Sequence, residues 1–121
     1  MEKVLIIEDD QSFRLILSQM ITKAGFVATL ASDGEEGMEL FRNGNFDLVI
    51  TDIIMPNMEG IETIMELHKL DPKGKIIAIS GGGKMEAEKY LSTARALKVN
   101  AVLKKPFSYN ELLTAMALIG Q

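Results

Sequence analysis

Five short apolar runs, each followed by a stretch with helical spacing, constrain this chain more than any other feature of its sequence. The first run, Val4-Leu5-Ile6-Ile7, ends in Glu8-Asp9-Asp10. Phe13, Ile16, Leu17, Met20 and Ala24 then recur at helical intervals, and Gly25 ends the helix. Residues 27–31 read as a second, weaker strand. Ser32-Asp33-Gly34-Glu35 has the spacing of a capping box and predicts a helix to about Arg42, stopped by Asn43-Gly44. Residues 48–51 form a third run ending at Asp52, and Ile61, Ile64, Met65 and His68 mark a third helix, stopped by Asp71-Pro72 and Gly74. Residues 75–79 read as a fourth strand, followed by Gly81-Gly82-Gly83 and a helix carrying Ala87, Tyr90, Leu91 and Ala94. Residues 101–103 are a short fifth strand, and Ser108 with Glu111 forms a capping box that opens a last helix. Runs that are apolar throughout predict strands covered on both faces, as in a parallel sheet. The strand–helix alternation predicts a doubly wound α/β fold, with right-handed crossovers placing helices on both faces.

The size and composition agree with this and exclude several functions. The 121 residues predict one domain, residues 1–121, large enough to bury a core without staples. The absence of cysteine excludes a disulfide scaffold, a Cys-ligated zinc site and a thiol nucleophile, and one histidine excludes a multi-His metal site. Thirteen basic against 17 acidic residues give a net charge of −4, so direct nucleic-acid binding is not expected. No apolar run approaches the ~18 residues of a membrane span. The start of the chain carries no signal-peptide pattern, so the expected location is the cytoplasm, away from membranes.

In an open parallel sheet, ligands bind outside the carboxyl ends of the strands. The strand ends here are Glu8-Asp9-Asp10, Asp52, Ser80 and Lys104-Lys105-Pro106. Nucleotide and flavin folds place glycines or hydroxyls at the first turn, where backbone amides receive a phosphate. Carboxylates there repel a phosphate and attract a cation. Glu8, Asp9 and Asp52 held within ~5 Å would repel pairwise by roughly 3 kcal/mol at an effective dielectric of 20. Lys105 and one divalent ion would balance their charge of −3. A hard, all-oxygen ligand set fits Mg²⁺ or Mn²⁺.

With these residues placed, the sequence resembles the receiver domain of two-component response regulators, over its whole length and close in size to the single-domain chemotaxis type. The resemblance is carried by Leu5-Ile6-Ile7-Glu8-Asp9, residues 47–52 ending in Thr51-Asp52, Met55-Pro56-Asn57-Met58-Glu59-Gly60, Ile79-Ser80 and Lys105-Pro106-Phe107. Each piece alone is weak, but all of them in order, each at a strand end, are specific. The resemblance implies a five-stranded parallel sheet in the flavodoxin-like order 2-1-3-4-5 with five helices. It implies that Asp52 is the phospho-acceptor, that Asp9 binds the metal directly, and that Glu8 acts partly through water. It adds the backbone carbonyl of Ile54 as a further ligand, Ser80 as the switch hydroxyl and Lys105 as the phosphate-binding lysine, with a cis Lys105–Pro106 bond. The donor would be a sensor histidine kinase or histidine phosphotransfer protein. The output would be an unknown protein met on the face of the fourth helix, fifth strand and fifth helix. On this reading the chain is no enzyme beyond its own phosphorylation and dephosphorylation, and no effector domain is expected after its last helix.

Simpler readings apply to neighbouring residues. Asp10 is expected to cap the first helix, Lys104 to face solvent, and Pro56 and Gly60 to be structural, with Gly60 relieving a tight backbone. His68 reads as a half-buried packing residue, and the eight methionines as gap fillers. Gly83-Lys84 is no phosphate-binding loop, because Ala78 and Met85 stand where that motif needs Gly and Ser or Thr. Two features depart from the family pattern. Val102 occupies the position of the usual switch aromatic, leaving backbone shifts, Tyr90 or Tyr109 to carry the output. Ile54 and Gly82 offer no polar group beside the acceptor, so slow self-dephosphorylation is expected. The triple glycine predicts a loop that orders on phosphorylation. Competing readings are a Mg²⁺-dependent phosphatase, which would want a second acid where Ile54 stands, and a non-phosphorylated binding module, which would not need the full set of charged residues.

Overall fold

The structure, a computed structural model, describes residues 3–53, 59–81, 92 and 95–120. Its elements run β1 (Lys3–Ile7), α1 (Gln11–Lys23), β2 (Val27–Ala31), α2 (Gly34–Asn43), β3 (Leu48–Asp52), α3 (Glu59–Leu70) and β4 (Ile76–Ser80). A fourth helix, α4, is described at residues 92 and 95–97, and is followed by β5 (Ala101–Lys104) and α5 (Tyr109–Ile119). All neighbouring strands pair in parallel, in the order β2-β1-β3-β4-β5. The doubly wound fold with helices on two faces is thus the observed one.

The period of two along each strand divides the core. Val4 and Ile6 of β1, Leu48 and Ile50 of β3, and Ile77 and Ile79 of β4 face α1 and α5, where they meet Leu17, Ile21, Leu112 and Met116. Leu5, Ile7, Val49, Ile76 and Ala78 face the other way, toward Met38 of α2 and Ile64 and Leu67 of α3. With both sides covered, β3 and β4 are buried along their whole length. β2 and β5 are edge strands and only partly buried, which is why their sequences read more weakly.

Helix ends follow their local chemistry. Asp10 caps α1 by accepting from the Phe13 amide (3.1 Å), as expected, and Gly25 ends that helix with φ of 96°. The capping box of α5 is complete: the Glu111 amide donates to Ser108 Oγ and the Ser108 amide to Glu111 Oε1, both at 3.0 Å. At α2 the expectation needs correction. Asp33, not Ser32, is the cap, accepting from the Glu36 amide at 2.8 Å. Glu36 reaches back to the Ser32 amide at 3.0 Å, so the reciprocal pair lies one residue later than the spacing suggested.

Two predicted helix faces are also rotated. Ile16 is 48% exposed on the flank of the α1 stripe, while Ile21, absent from the predicted set, is buried. In α3 the buried line is Gly60, Thr63, Ile64 and Leu67, and Met65 is 56% exposed. Gly60 sets that rotation. A Cβ there would lie 2.2 Å from the Asp52 carbonyl oxygen and 2.6 Å from that of Ile53, both fixed backbone atoms. The missing side chain lets α3 start against the end of β3. Gly60→Ala is therefore expected to cost about 2–3 kcal/mol, by pushing α3 away from Asp52, and chemical denaturation will measure it.

Candidate functional site

Strand alternation delivers the site. Glu8 follows Val4 and Ile6 on the face of β1 toward α1 and α5, and Asp52 follows Leu48 and Ile50 on the same face of β3. Both side chains are buried, and Asp9 beside them is exposed. One carboxylate oxygen from each of Glu8, Asp9 and Asp52 lies within 4.8 Å of the others, a set that can hold a metal ion. The donors are all oxygen, which suits a hard divalent cation.

Lys105 completes the cluster. Its Nζ donates to Asp52 Oδ2 at 2.8 Å and forms an ion pair with Glu8 Oε1, and its side chain is only 19% exposed. Its backbone amide donates to the Ser80 carbonyl at 2.9 Å, and the Lys105–Pro106 peptide is cis, as expected. Glu8 is held further by the Asp10 amide on Oε2 (3.3 Å) and by Arg14, whose guanidinium donates to the Glu8 carbonyl at 2.7 Å.

Ser80 ends β4 and is buried, but its hydroxyl donates to the Gly81 carbonyl at 3.4 Å. The register explains this: Asp52 pairs with Ile79, and Ser80 lies one place further along β4. Pro106 sits at the cis bond and Gly60 under the end of β3. Ile54 and Pro56 lie outside the described residues, as do Gly82, Gly83 and Tyr90, so the expectations placed on them end there. His68 is half-buried, as expected, and its Nε2 hydrogen-bonds the Leu97 carbonyl at 2.9 Å. Val102 packs in the core shared with Leu5 and Ile64. By its helical spacing Phe13 is a core position of α1, and Arg14 carries no signal in the sequence. Both reach the site from the first turns of α1, and nothing in their spacing signals it.

The electrostatics match a site built to receive a cation. Burial pushes the Glu8 carboxyl up to about 7, and Asp9 and Asp52 add to the rise, while Lys105 and the Asp10 amide oppose it. Burial works against the Lys105 ammonium, but the Asp52 and Glu8 carboxylates outweigh it and hold its pKa above the ordinary lysine value. Between pH 4.5 and about 7 the folded protein therefore keeps a proton on Glu8 that the unfolded chain has lost. Metal-free stability is expected to fall as pH rises through that window and to level off above it. Because Mg²⁺ competes with that proton, the ion should stabilise the protein more at pH 8 than at pH 5. Thermal melts at the two pH values, with and without Mg²⁺, measure both effects.

A five-stranded parallel sheet with an acidic cluster and one lysine across its carboxyl edge defines a receiver-type signalling domain. Residues 4–117 match the family described as "Response regulator receiver domain", and the chain belongs to that family. It is 36% identical to the chemotaxis protein CheY of Thermotoga maritima, over 99% of this chain and 98% of that one. It is 34% identical to the response regulator receiver protein CpdR of Brucella abortus, over 93% and 92% of the two chains. Among solved structures, chemotaxis protein CheY4 of Vibrio cholerae superposes with a TM-score of 0.86 at 27% identity, covering 98% of each chain. The response regulator TrrA of Thermotoga maritima, solved in complex with Mg²⁺-BeF, gives 0.83 at 28% identity over 98% and 99% of the chains. The protein is thus a CheY-like receiver of two-component signalling. No helix among the described residues is long and apolar enough to cross a membrane.

Proposed function

We propose that this chain, over residues 1–121, is a phosphorylation switch in which Asp52 accepts a phosphoryl group from a phosphohistidine. One observation carries the reading: the buried Asp52 carboxylate is held by Lys105 within reach of two further carboxylates able to share a metal ion. A carboxylate so placed is a nucleophile that needs no general base. An Asp52 oxygen attacks phosphorus, the O–P bond forms, the P–N bond to the donor imidazole breaks, and its electron pair leaves with the imidazole. The product is an acyl phosphate. Charge grows on the equatorial phosphoryl oxygens along this path.

Glu8, Asp9 and Asp52 would hold Mg²⁺ or Mn²⁺, which supplies positive charge to those oxygens when bound. The Lys105 ammonium lies beside the acceptor and can turn from Asp52 Oδ2 to a phosphoryl oxygen. Ser80 is the hydroxyl that would follow. Its present bond to the Gly81 carbonyl is long, 3.4 Å, and a phosphoryl oxygen is a stronger acceptor. That exchange is the local event that shifts the end of β4 and, through the backbone bond from Lys105 to Ser80, the start of the β5–α5 connection. On this reading the protein works in the cytoplasm and is charged by a sensor histidine kinase or histidine phosphotransfer protein. It signals to a protein partner through the α4, β5 and α5 face, and catalyses only its own phosphorylation and dephosphorylation.

Incubation with Mg²⁺ and a small phosphodonor tests the reading directly. The intact mass is expected to rise by one phosphoryl group, and only when the divalent ion is present. Steady turnover of phosphate esters without an adduct would point to a phosphatase, and neither adduct nor turnover to a binding module.

A further inference from the structure

The lysine of the site rests on an aromatic ring. Lys105 Nζ lies 4.5 Å from the centroid of Phe13, over the ring face. The Phe107 ring meets Phe13 edge-on, with centroids 5.5 Å apart and planes at 84°. Phe107 is buried and packs with Leu17, Leu112 and the α1–α5 side of the sheet, so the aromatic pair is anchored in the core. An ammonium has three N–H donors and no acceptor. Here the Asp52 and Glu8 carboxylates take two sides of it, and the Phe13 ring covers a third where water would otherwise stand. A ring face attracts a cation most strongly when water is displaced, and this lysine is mostly buried.

We propose that Phe13 is a positioning residue for Lys105: its ring face holds the ammonium at the junction of Glu8 and Asp52, and α1 thereby takes part in phosphoryl transfer. The kinetic part rests on the reading of Asp52 as acceptor; the positioning itself does not. Held from below by a fixed ring, the ammonium keeps one location while its partner changes from the Asp52 carboxylate to a phosphoryl oxygen. No reorganisation is needed as charge develops. Arg14 steadies the same arrangement, because its bond to the Glu8 carbonyl fixes the strand end that meets α1.

The test compares Phe13→Leu with Phe13→Tyr in the full chain. Nitrogen-edited NMR of the lysine ammonium groups reads how fast the Lys105 protons exchange with water, with no phosphodonor present. Phe13→Leu is expected to speed this exchange, and to slow phosphorylation by a small phosphodonor at saturating Mg²⁺, each by roughly three- to tenfold. Phe13→Tyr should restore both. Replacing Phe13 with phenylalanines of increasing ring fluorination, which keep the shape but weaken the ring's attraction for cations, should lower the rate stepwise at unchanged melting temperature. Unchanged ammonium exchange in Phe13→Leu, or a flat rate across the fluorinated series, would overturn the proposal and leave Phe13 a packing residue. A wild-type protein that takes up no phosphoryl group would overturn the acceptor reading alone, and the exchange measurement would still decide the positioning.

Discussion

Asp52→Asn is expected to take up no phosphoryl group under conditions in which the wild-type chain gains one. The amide is neutral and far less nucleophilic than the carboxylate, and it strips the charge from one of the three donor groups gathered within 4.8 Å. Mg²⁺ affinity should fall as well, because the variant loses one unit of negative charge at the ion. The fold should survive. The carboxamide differs little in shape from the carboxylate it replaces, the burial at this strand end is retained, and the repulsion that Asp52 exerts on Glu8 is relieved. Intact-mass measurement with a small phosphodonor reads the loss, and thermal melting separates it from unfolding. An undiminished adduct on a well-folded Asp52→Asn protein would show that another residue accepts the group.

Lys105→Met should produce the second large effect, on stability and transfer together. The ammonium is the cation that joins Asp52 and Glu8. Removing one partner of a mostly buried ion cluster costs about 3–5 kcal/mol when the remaining charges cannot relax. Here Glu8 can relax by keeping its proton to higher pH, so a loss near the lower bound, ~3 kcal/mol, is expected at pH 8 and a smaller one at pH 5. Mg²⁺ should return part of it by supplying the missing positive charge. Phosphorylation should slow by about 10²-fold or more, the usual consequence of deleting one donor that stabilises developing charge. Denaturant titrations at the two pH values and a time course of the mass adduct measure these outcomes. Wild-type stability and rate in the variant would assign Lys105 to the surface rather than to the site.

Most of the architecture is legible in the residues because burial on both faces of a parallel sheet demands apolar runs, and the caps announce helix starts. Val4-Leu5-Ile6-Ile7 and the run before Asp52 are nearly context-free signals. The errors fall where tertiary contact overrules local pattern. Met65 has good spacing in a helical stripe, yet the close approach of Gly60 to the Asp52 carbonyl turns α3 so that Thr63 and Leu67 face inward instead. Ser32 has the spacing of a cap, but Asp33 is the residue whose side chain meets the free amide.

The site divides in the same way. The sequence by itself determines which charged groups exist and that parallel strands must bring their carboxyl ends to one edge, so Glu8, Asp9, Asp52, Ser80 and Lys105 could be collected from strand ends alone. Period-two alternation even assigns Glu8 and Asp52 to one face. Only the tertiary structure decided that Lys105 ties those two carboxylates together while the Ser80 hydroxyl turns to Gly81, because strand register, not strand membership, sets which atoms meet. It alone placed the Phe13 ring against the ammonium. An aromatic residue on an amphipathic helix reads as core until the neighbouring loop is folded over it, and the energy of that contact depends on a distance that no spacing along the chain contains.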